Sequence, residues 1–446
     1  MAWSRHLGLA LAALLLACVP ACKSRSCVPE PIALRHDLID LCGGAHDRPP
    51  APAGMTREVM DACLRRAAGH HPPGARPYQF LALSGGGLWG SFGVGVLNGW
   101  TASGTRPVFD VVTGISVGSI QATAAFLGPQ YDEQLREDTV GVERKDILRR
   151  RPLAALLCAP SVFDADRLAR RLERGITPQM LREVAEAHAQ GRRLYVGTCN
   201  LDTGGLVIWD MGLIATRGTP EALDLYRKVI LASASIPGVM PPVELPVEID
   251  GKRHTELHVD GATADDIFFR SFMVLELNRR AGNPSPFAPP GSRLTIINNG
   301  KLIRDPKCVK PKLAKILVEA NDAVLTNKRR DEMSHLFLHC LETAVDYRLT
   351  MVPDDVKLSS TTALGIKRDD QELLYALGNK IGLDAAAGGG WRDTPPGHAL
   401  EPEALPRSGL KFATPPGDGC GRPSPAVIPP AATGQTSASS PPTPGR

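Results

Sequence analysis

A strand-to-helix turn decides the fold class of this chain, and it lies in residues 108–126, VFDVVTGISVGSIQATAAF. The apolar segment 108–113 predicts a strand, and the segment 117–126 predicts a helix. Between them stands Gly114-Ile115-Ser116-Val117-Gly118, which has the form GxSxG. In this context the pattern is typical of a nucleophile elbow, in which Gly114 and Gly118 leave room for a strained turn that exposes the Ser116 hydroxyl.

A second glycine-rich turn precedes the first. Residues 83–90 read LSGGGLWG and lie between a predicted strand at 78–83 and a predicted helix at 91–102. Glycines can turn successive backbone N–H groups toward one point, and the amino end of the following helix adds its positive potential. Gly85, Gly86 and Gly87 therefore predict an anion-binding nest.

The same turn allows a nucleotide-binding hypothesis, because Gly85 to Gly90 also satisfies GxGxxG. In that motif the pyrophosphate lies on the helix amino terminus, and an acidic residue is expected at the end of the second strand. Asp110 instead lies near the start of that strand. A nucleotide-binding oxidoreductase also leaves Ser116 without a role, so this alternative explains less of the sequence.

Strands and helices continue to alternate along the chain, which predicts an α/β fold. Further strands are predicted at 194–198, 206–209 and 293–297, and helices at 164–174, 179–189, 312–325 and 330–344. The predicted core domain spans residues 78–383. It follows an extension at 22–77 and precedes a Gly/Pro-rich tail at 384–446, which is expected to be disordered.

The charge balance excludes one class of partner. The 446 residues contain 51 Lys+Arg and 47 Asp+Glu, a formal net charge of +4. A nucleic-acid-binding domain requires a strongly basic surface, so no nucleic-acid partner is predicted. Hydrophobic residues make up 43% of the chain, enough to bury at least one large core.

The amino terminus predicts export. Arg5 is followed by the apolar run 7–17, which has the length of a secretory signal and is too short to span a bilayer. The sequences before Cys18 and Cys22 both resemble the lipobox of bacterial lipoproteins, in which the cysteine becomes the lipidated first residue. We therefore predict a lipoprotein signal peptide at 1–21 and a membrane lipoprotein of the outer membrane or facing the periplasm. Ordinary cleavage and secretion is the alternative.

Export makes the ten cysteines compatible with oxidation. Those at 27, 42 and 63, in the polar extension, are the expected bridge formers. Cys158, Cys199 and Cys340 stand in apolar contexts and fit either disulfides or buried thiols. The chain has no CxxC pair and no Cys/His group with zinc-site spacing, so no metal and no cofactor is predicted.

A serine nucleophile requires a base, and the usual one is a histidine held by a carboxylate. None of the candidate histidines stands in a context typical of a catalytic loop; they are His254, His258, His335, His339 and His398. The other candidate is Asp260 in the sequence HVDGA at 258–262, although Asp before Gly is often only a turn. A Ser-His-Asp esterase therefore stays open at this point.

Taken together, these motifs resemble the patatin-like phospholipase family. Its pattern is a glycine-rich oxyanion loop, a GxSxG nucleophile and a later Asp-Gly-Ala or Asp-Gly-Gly, matched here in order by Gly85-Gly86-Gly87, Ser116 and Asp260-Gly261-Ala262. The stretch ASASIPGVMPP at 232–242 is similar to the family's segment before its aspartate. The resemblance covers about residues 78–345, and its widest extent reaches residue 383.

The resemblance implies a three-layer α/β/α fold and a Ser-Asp dyad that hydrolyses acyl esters of lipids. Ser116 would be the nucleophile, Asp260 the general base, and the Gly85 to Gly87 loop the oxyanion hole. Gly90, Gly114, Gly118 and Gly261 would support the motifs. The expected substrate is a lipid or membrane ester, and the oligomeric state is not predicted.

One position departs from the family pattern. The family loop usually carries Arg or Lys where this chain has Trp89. That substitution leaves a third alternative, a catalytically idle lipoprotein that uses the fold as a binding module.

Overall fold

The computed structural model describes residues 75–152, 154–155, 158–249, 251–283, 285–303, 309–360, 362 and 364–396, together with Asp61, Leu64 and Arg65. The predicted signal peptide, with Cys18 and Cys22, lies outside the described residues. So do most of the predicted extension at 22–77 and most of the predicted tail at 384–446.

Ten strands lie in the described part of the chain: β1 (Gln79–Leu83), β2 (Val111–Ile115), β3 (Arg149–Arg150), β4 (Phe163–Asp164), β5 (Arg193–Asn200), β6 (Leu206–Asp210), β7 (Val243–Ile249), β8 (Lys252–Asp260), β9 (Arg293–Asn298) and β10 (Asp346–Met351). The α-helices described there are α1 (Ser91–Ala102), α2 (Val117–Leu127), α3 (Asp132–Thr139), α4 (Arg144–Ile147), α5 (Asp166–Gly175), α6 (Pro178–Ala189), α7 (Met211–Ala215), α8 (Pro220–Ser233), α9 (Ser271–Arg280), α10 (Leu313–Thr343) and α11 (Arg368–Leu383).

The main sheet has eight strands, hydrogen-bonded along the path β10-β9-β1-β2-β5-β8-β7, with β6 also paired to β5. The pairs from β10 to β5 are parallel. The pairs that involve β6, β7 and β8 are antiparallel. In the parallel part the carboxyl ends of β1, β2 and β9 meet at one edge of the sheet, where sites of α/β folds are usually built.

Helices cover both faces of this sheet. Leu81 and Leu83 of β1 belong to one apolar cluster, together with residues of α1, α2 and α11. Phe80 and Ala82 of the same strand belong to a second cluster, with residues of α9 and α10. Alternate residues of a strand point to opposite faces, so the two clusters are the two interfaces of a three-layer α/β/α sandwich. The predicted fold class is confirmed.

Glycines fix the packing of α1 against α11. A Cβ built on Gly95 would lie 2.1 Å from the carbonyl oxygen of Tyr375, and one built on Gly99 would lie 2.0 Å from that of Asn379. The approach of the two helix backbones therefore excludes any side chain at these positions. This contact fixes the position of α1 and therefore of the glycine-rich turn that precedes it.

Two predicted elements differ from the structure. The second strand was expected at 108–113 but is β2, Val111–Ile115. Asp110 precedes it and accepts hydrogen bonds from the Gln79 N–H and the Arg76 guanidinium, so its carboxylate ties β1 to the start of β2. The helices expected at 312–325 and 330–344 are one continuous helix, α10, because the polar residues between them bond to neighbouring loops without interrupting the helix.

The described cysteines divide between the two expected states. Cys199 and Cys340 are buried thiols. Cys158 is exposed and disulfide-bonded. Within the described residues, no helix is both long and apolar enough to cross a bilayer.

Candidate active site

Strand register brings Ser116 and Asp260 together. Ile115, at the end of β2, pairs with Gly197 of β5. Asp260, at the end of β8, pairs with the next β5 residue, Thr198. β6 pairs with one edge of β5, so β2 and β8 both pair with its other edge. They meet there end to end, at adjacent β5 positions. The Ser116 hydroxyl then donates a hydrogen bond of 2.7 Å to Asp260 Oδ2, across 144 residues of sequence.

Ser116 has the strained backbone of a nucleophile elbow. Its φ is 54° and its ψ is −124°, a combination that non-glycine residues seldom adopt. The Ser116 N–H donates to Ser233 Oγ at 2.9 Å, and the Ser233 hydroxyl donates to the Gly197 carbonyl at 2.7 Å. Such strain persists only where the surroundings enforce it, and here Ser233 ties the elbow to β5.

The glycines that flank Ser116 are required by close contacts. A Cβ on Gly114 would lie 2.5 Å from the Gly118 carbonyl oxygen, and one on Gly118 would lie 2.4 Å from the Leu83 carbonyl oxygen. Gly90 and Gly261 are similarly confined, with 2.4 Å to Val117 Cγ2 and 2.6 Å to the Gly197 carbonyl oxygen. The four predicted motif-supporting glycines therefore surround the elbow.

Asp260 is buried and is the hydrogen-bond partner of both Ser116 and the loop that follows β8. Its Oδ1 accepts from the Ala262 N–H at 2.9 Å. Burial raises the pKa of Asp260 to about 7, and the nearby Asp266 adds to the rise. The Ser116 and Ala262 hydrogen bonds and the Lys328 charge oppose it. A carboxylate with a pKa in this range can take a proton near neutral pH.

This raised pKa carries a stability cost. Between about pH 4 and 7 the folded chain retains a proton on Asp260 that the unfolded chain releases, because the pKa rises from 3.8 to about 7 on folding. The folded state is therefore most stable below pH 4, where Asp260 is neutral in both states, and it loses this advantage as the pH rises to 7.

Asp260→Asn is therefore expected to be more stable than the wild type at pH 8, by up to roughly 4 kcal/mol. The amide keeps partners at Ser116 and Ala262 but cannot ionise. Urea unfolding at pH 8 and at pH 4 measures the difference, which should vanish at the lower pH. An amide variant less stable than the wild type by the same amount at both pH values would contradict the raised pKa.

The glycine-rich turn offers two backbone donors. Gly86 and Gly87 have φ of 150° and 59°. Neither N–H makes a hydrogen bond within the described part of the chain. The Gly85 N–H, by contrast, donates to the Asp266 carbonyl at 3.0 Å. Of the three predicted oxyanion residues, Gly86 and Gly87 thus have available N–H groups. The N–H of Gly85 instead ties the turn to Asp266.

Asn299, which follows β9, holds this turn in place. Its N–H donates to Ser84 Oγ at 2.8 Å, its Nδ2 donates to the Ser84 carbonyl at 3.0 Å, and its Oδ1 accepts from the Gly93 N–H at 3.1 Å. Gln121 of α2 adds a bond of 2.8 Å to the Gly90 carbonyl. Sequence reasoning missed both residues. A polar Asn-Asn pair at the end of a predicted parallel strand was the available signal for Asn299.

Trp89 does not stand in the nest. Its side chain is 8% exposed and belongs to the apolar cluster shared with α1 and α11. The residue that replaces the family's usual cation therefore contributes to core packing.

Two of the candidate histidines are hydrogen-bonded elsewhere. His258 shares hydrogen bonds with Thr198 at 2.9 Å and Glu256 at 3.0 Å, and His339 with Glu342 at 3.1 Å. Among the described residues, no histidine is hydrogen-bonded to Ser116 or Asp260. His398 lies outside them. The geometry thus provides a Ser-Asp pair and no Ser-His-Asp arrangement in the part of the chain that is described.

A cavity of about 110 Å³ opens beside Ser116. Gly87 and Leu88 line it next to the serine, and the rest of the lining is mostly apolar, with Val117, Ile120, Met180, Ile236 and Met240. Its polar residues include Gln134, Asp138 and Arg171, where α3 meets α5. The mostly apolar lining suits a hydrocarbon chain attached to a group that reacts at Ser116.

Comparison with known proteins shows a family similarity in the part of the chain that contains this site. Residues 81–273 match the family model described as patatin-like phospholipase. Curated proteins give no significant match. Among 14 matching chains of solved structures is the crystal structure of VipD from Legionella pneumophila, which is 13% identical, with 71% of this chain and 67% of that chain covered and a TM-score of 0.36. The family match supports hydrolysis of lipid acyl esters, and it includes both Ser116 and Asp260. Over residues 81–273 this chain is similar in sequence to the patatin-like phospholipase family.

Proposed function

We propose that this protein is a lipid acyl hydrolase in which Ser116 is the nucleophile and Asp260 the general base. The observation that carries the proposal is the 2.7 Å hydrogen bond from Ser116 Oγ to Asp260 Oδ2, beside an apolar cavity. A nucleophile that already donates to a carboxylate needs no further base.

The first half of the reaction forms an acyl-enzyme. Ser116 Oγ attacks the ester carbonyl carbon while its proton moves to Asp260 Oδ2. The negative charge that develops on the carbonyl oxygen is stabilised by the N–H groups of Gly86 and Gly87, which are available for it. When the tetrahedral intermediate collapses, the ester C–O bond breaks and the leaving alkoxide takes the proton from Asp260.

The second half regenerates the serine. A water molecule attacks the acyl carbonyl and gives its proton to Asp260. The Ser116 oxygen leaves as the acyl bond breaks and recovers that proton, so the products are a fatty acid and free enzyme. Gly85 takes no part as a donor in this scheme, because its N–H is bonded to Asp266. This narrows the expected oxyanion hole to Gly86 and Gly87.

The rate should depend on the ionisation of Asp260. Burial raises the pKa of Asp260 to about 7, and only the carboxylate form accepts the Ser116 proton. With an uncharged nitrophenyl ester, kcat/KM is expected to rise tenfold per pH unit below about pH 6 and to level off above about pH 8. A flat profile between pH 5 and 8, or a midpoint near 4, would contradict the assignment of Asp260 as the base.

We also propose that the exported chain is attached to a membrane through a lipidated Cys18 or Cys22. The lipobox-like sequence before each cysteine supports this proposal. The mass of the mature amino-terminal peptide, compared between the wild type and Cys22→Ser, identifies the modified residue. A mature protein that begins at a later residue and carries no lipid would contradict it.

A further inference from the structure

The amino-terminal half of α10 projects beyond the edge of the sheet at which the carboxyl ends of β1, β2 and β9 meet, here called the catalytic edge. Its carboxyl-terminal half packs under the sheet, with Met333, Phe337 and Cys340 fully buried. The chain then turns into β10, which runs parallel to β9, so α10 itself runs from the catalytic edge to the opposite edge. Lys328 reaches the Ala262 and Thr263 carbonyls, and residues 313–327 continue past that point for roughly 22 Å.

The projecting half carries an exposed apolar stripe. Leu313, Ile316, Leu317 and Val324 are 75%, 48%, 61% and 63% exposed, far more than is usual for aliphatic side chains. Leu313, Ile316, Leu317 and Ala320 follow the i, i+3, i+4, i+7 pattern of one helix face, and Val324 continues that face one turn later. An apolar face of this kind normally packs against a partner.

Lysines accompany the stripe at its outer end. Lys310, Lys312 and Lys315 are all exposed, whereas the acidic residues, Glu319 and Asp322, come later and closer to the body of the domain. An apolar helix face with lysines beside it is the composition of helices that lie in the interface of anionic lipid bilayers.

The position of this helix couples it to the dyad. Lys328 holds the loop that follows Asp260 through the Ala262 and Thr263 carbonyls. Arg329 Nε donates to Asp266 Oδ2 at 2.6 Å, and the Asp266 carbonyl accepts the Gly85 N–H of the glycine-rich turn. One helix therefore bears an apolar surface at one end and supports both halves of the candidate active site further along.

From these observations we infer that residues 310–324 form a docking surface for an anionic lipid bilayer, which sets the active site against the membrane that contains its substrate. The role given to this docking surface rests on the proposed function, but binding to a bilayer can be measured independently of catalysis. Charge complementarity selects the occupant: the lysines favour acidic lipid headgroups, and the apolar stripe favours the acyl region beneath them.

Binding to vesicles tests the inference directly. The full chain carries Ser116→Ala, so that no lipid is consumed, and Cys18→Ser with Cys22→Ser, so that no lipid anchor hides the contribution of α10. The vesicles contain equal parts of phosphatidylcholine and phosphatidylglycerol. Leu313→Ser with Leu317→Ser should lower vesicle binding at least tenfold, because two apolar side chains no longer enter the bilayer. Lys312→Gln with Lys315→Gln should lower it by roughly twentyfold, and only at low salt.

Leu213→Ser is the matched control. Leu213 is 57% exposed, but it lies on α7, which follows the end of β6 at the opposite edge of the sheet. Its vesicle binding should equal that of the parent chain. With an intact Ser116, turnover of a water-soluble ester should be the same within twofold in all these variants, and turnover of vesicle lipid should fall with binding.

A fluorescence measurement gives a second readout, which reports whether the helix face itself enters an apolar environment. With the emission of the five native tryptophans subtracted by means of the parent chain, the residue introduced by Leu317→Trp should show a blue shift when vesicles are added, whereas that introduced by Leu213→Trp should show none. Binding unaffected by the leucine and lysine changes, or an unshifted Leu317→Trp spectrum, would overturn the inference. So would a wild-type dimer in light scattering that Leu313→Ser with Leu317→Ser converts to a monomer, since a second copy would then cover the stripe.

Failures of the two proposals are distinguishable. If the chain binds vesicles as described but hydrolyses no ester, the docking surface stands and the proposed reaction is wrong. If it hydrolyses soluble esters and the α10 variants bind vesicles like the wild type, the reaction stands and the docking surface is wrong.

Discussion

Ser116→Ala and Asp260→Asn are each expected to reduce kcat on a nitrophenyl ester by roughly 10⁴-fold or more, with KM little changed. Alanine removes the attacking oxygen, and asparagine removes the only base hydrogen-bonded to it among the described residues. Both variants should stay folded, since neither introduces a larger side chain. Steady-state kinetics with circular dichroism as the folding check measures both effects.

The double variant sharpens this prediction. Residues that act as one unit are strongly non-additive, so Ser116→Ala with Asp260→Asn should be no slower than either single variant. Ser235→Ala is the matched control, because Ser235 is also buried and its hydroxyl bonds to the Leu231 carbonyl, while its backbone carbonyl, which accepts the Asp260 N–H, is kept in the variant. Full activity in either single variant would exclude the dyad.

Gly86→Ala is expected to reduce kcat by roughly 10²- to 10³-fold, the effect of losing one oxyanion donor. A Cβ at this position would lie 2.1 Å from the backbone oxygen of Asn299, and its φ of 150° disfavours any side chain. The turn must therefore move, which carries the Gly86 and Gly87 N–H groups away from Ser116.

Gly104→Ala separates local strain from loss of the nest. Gly104 also has a positive φ, 70°, but nothing lies within 4 Å of an added Cβ. It should lose some stability and keep its kcat. If Gly86→Ala kept kcat within threefold of the wild type, the nest would not be the oxyanion hole.

Local motifs predicted much of the site. The GxSxG and the glycine-rich turn could be placed at the ends of predicted strands, and the carboxyl ends of neighbouring parallel strands meet at one edge of a sheet. That reasoning located Ser116 and the nest correctly relative to their elements. It depended only on residues close together in sequence.

What the sequence could not reveal depends on distant contacts. The pairing of Asp260 with Thr198 is set by the antiparallel entry of β8, which no local pattern specifies. The bond that occupies the Gly85 N–H comes from Asp266, and the support for the turn comes from Asn299. The continuity of α10 was missed for a related reason, because Lys328 and Arg329 look like a polar break until their partners are known.

Covalent labelling tests the central claim most directly. A fluorophosphonate reacts with a serine whose oxygen is activated by a base, so the account predicts a single adduct on the peptide that contains Ser116. Labelling should track the loss of ester hydrolysis and should be slowed at least a thousandfold in Asp260→Asn. An active protein whose Ser116 stays unlabelled, or an Asp260→Asn variant labelled at the wild-type rate, would contradict it.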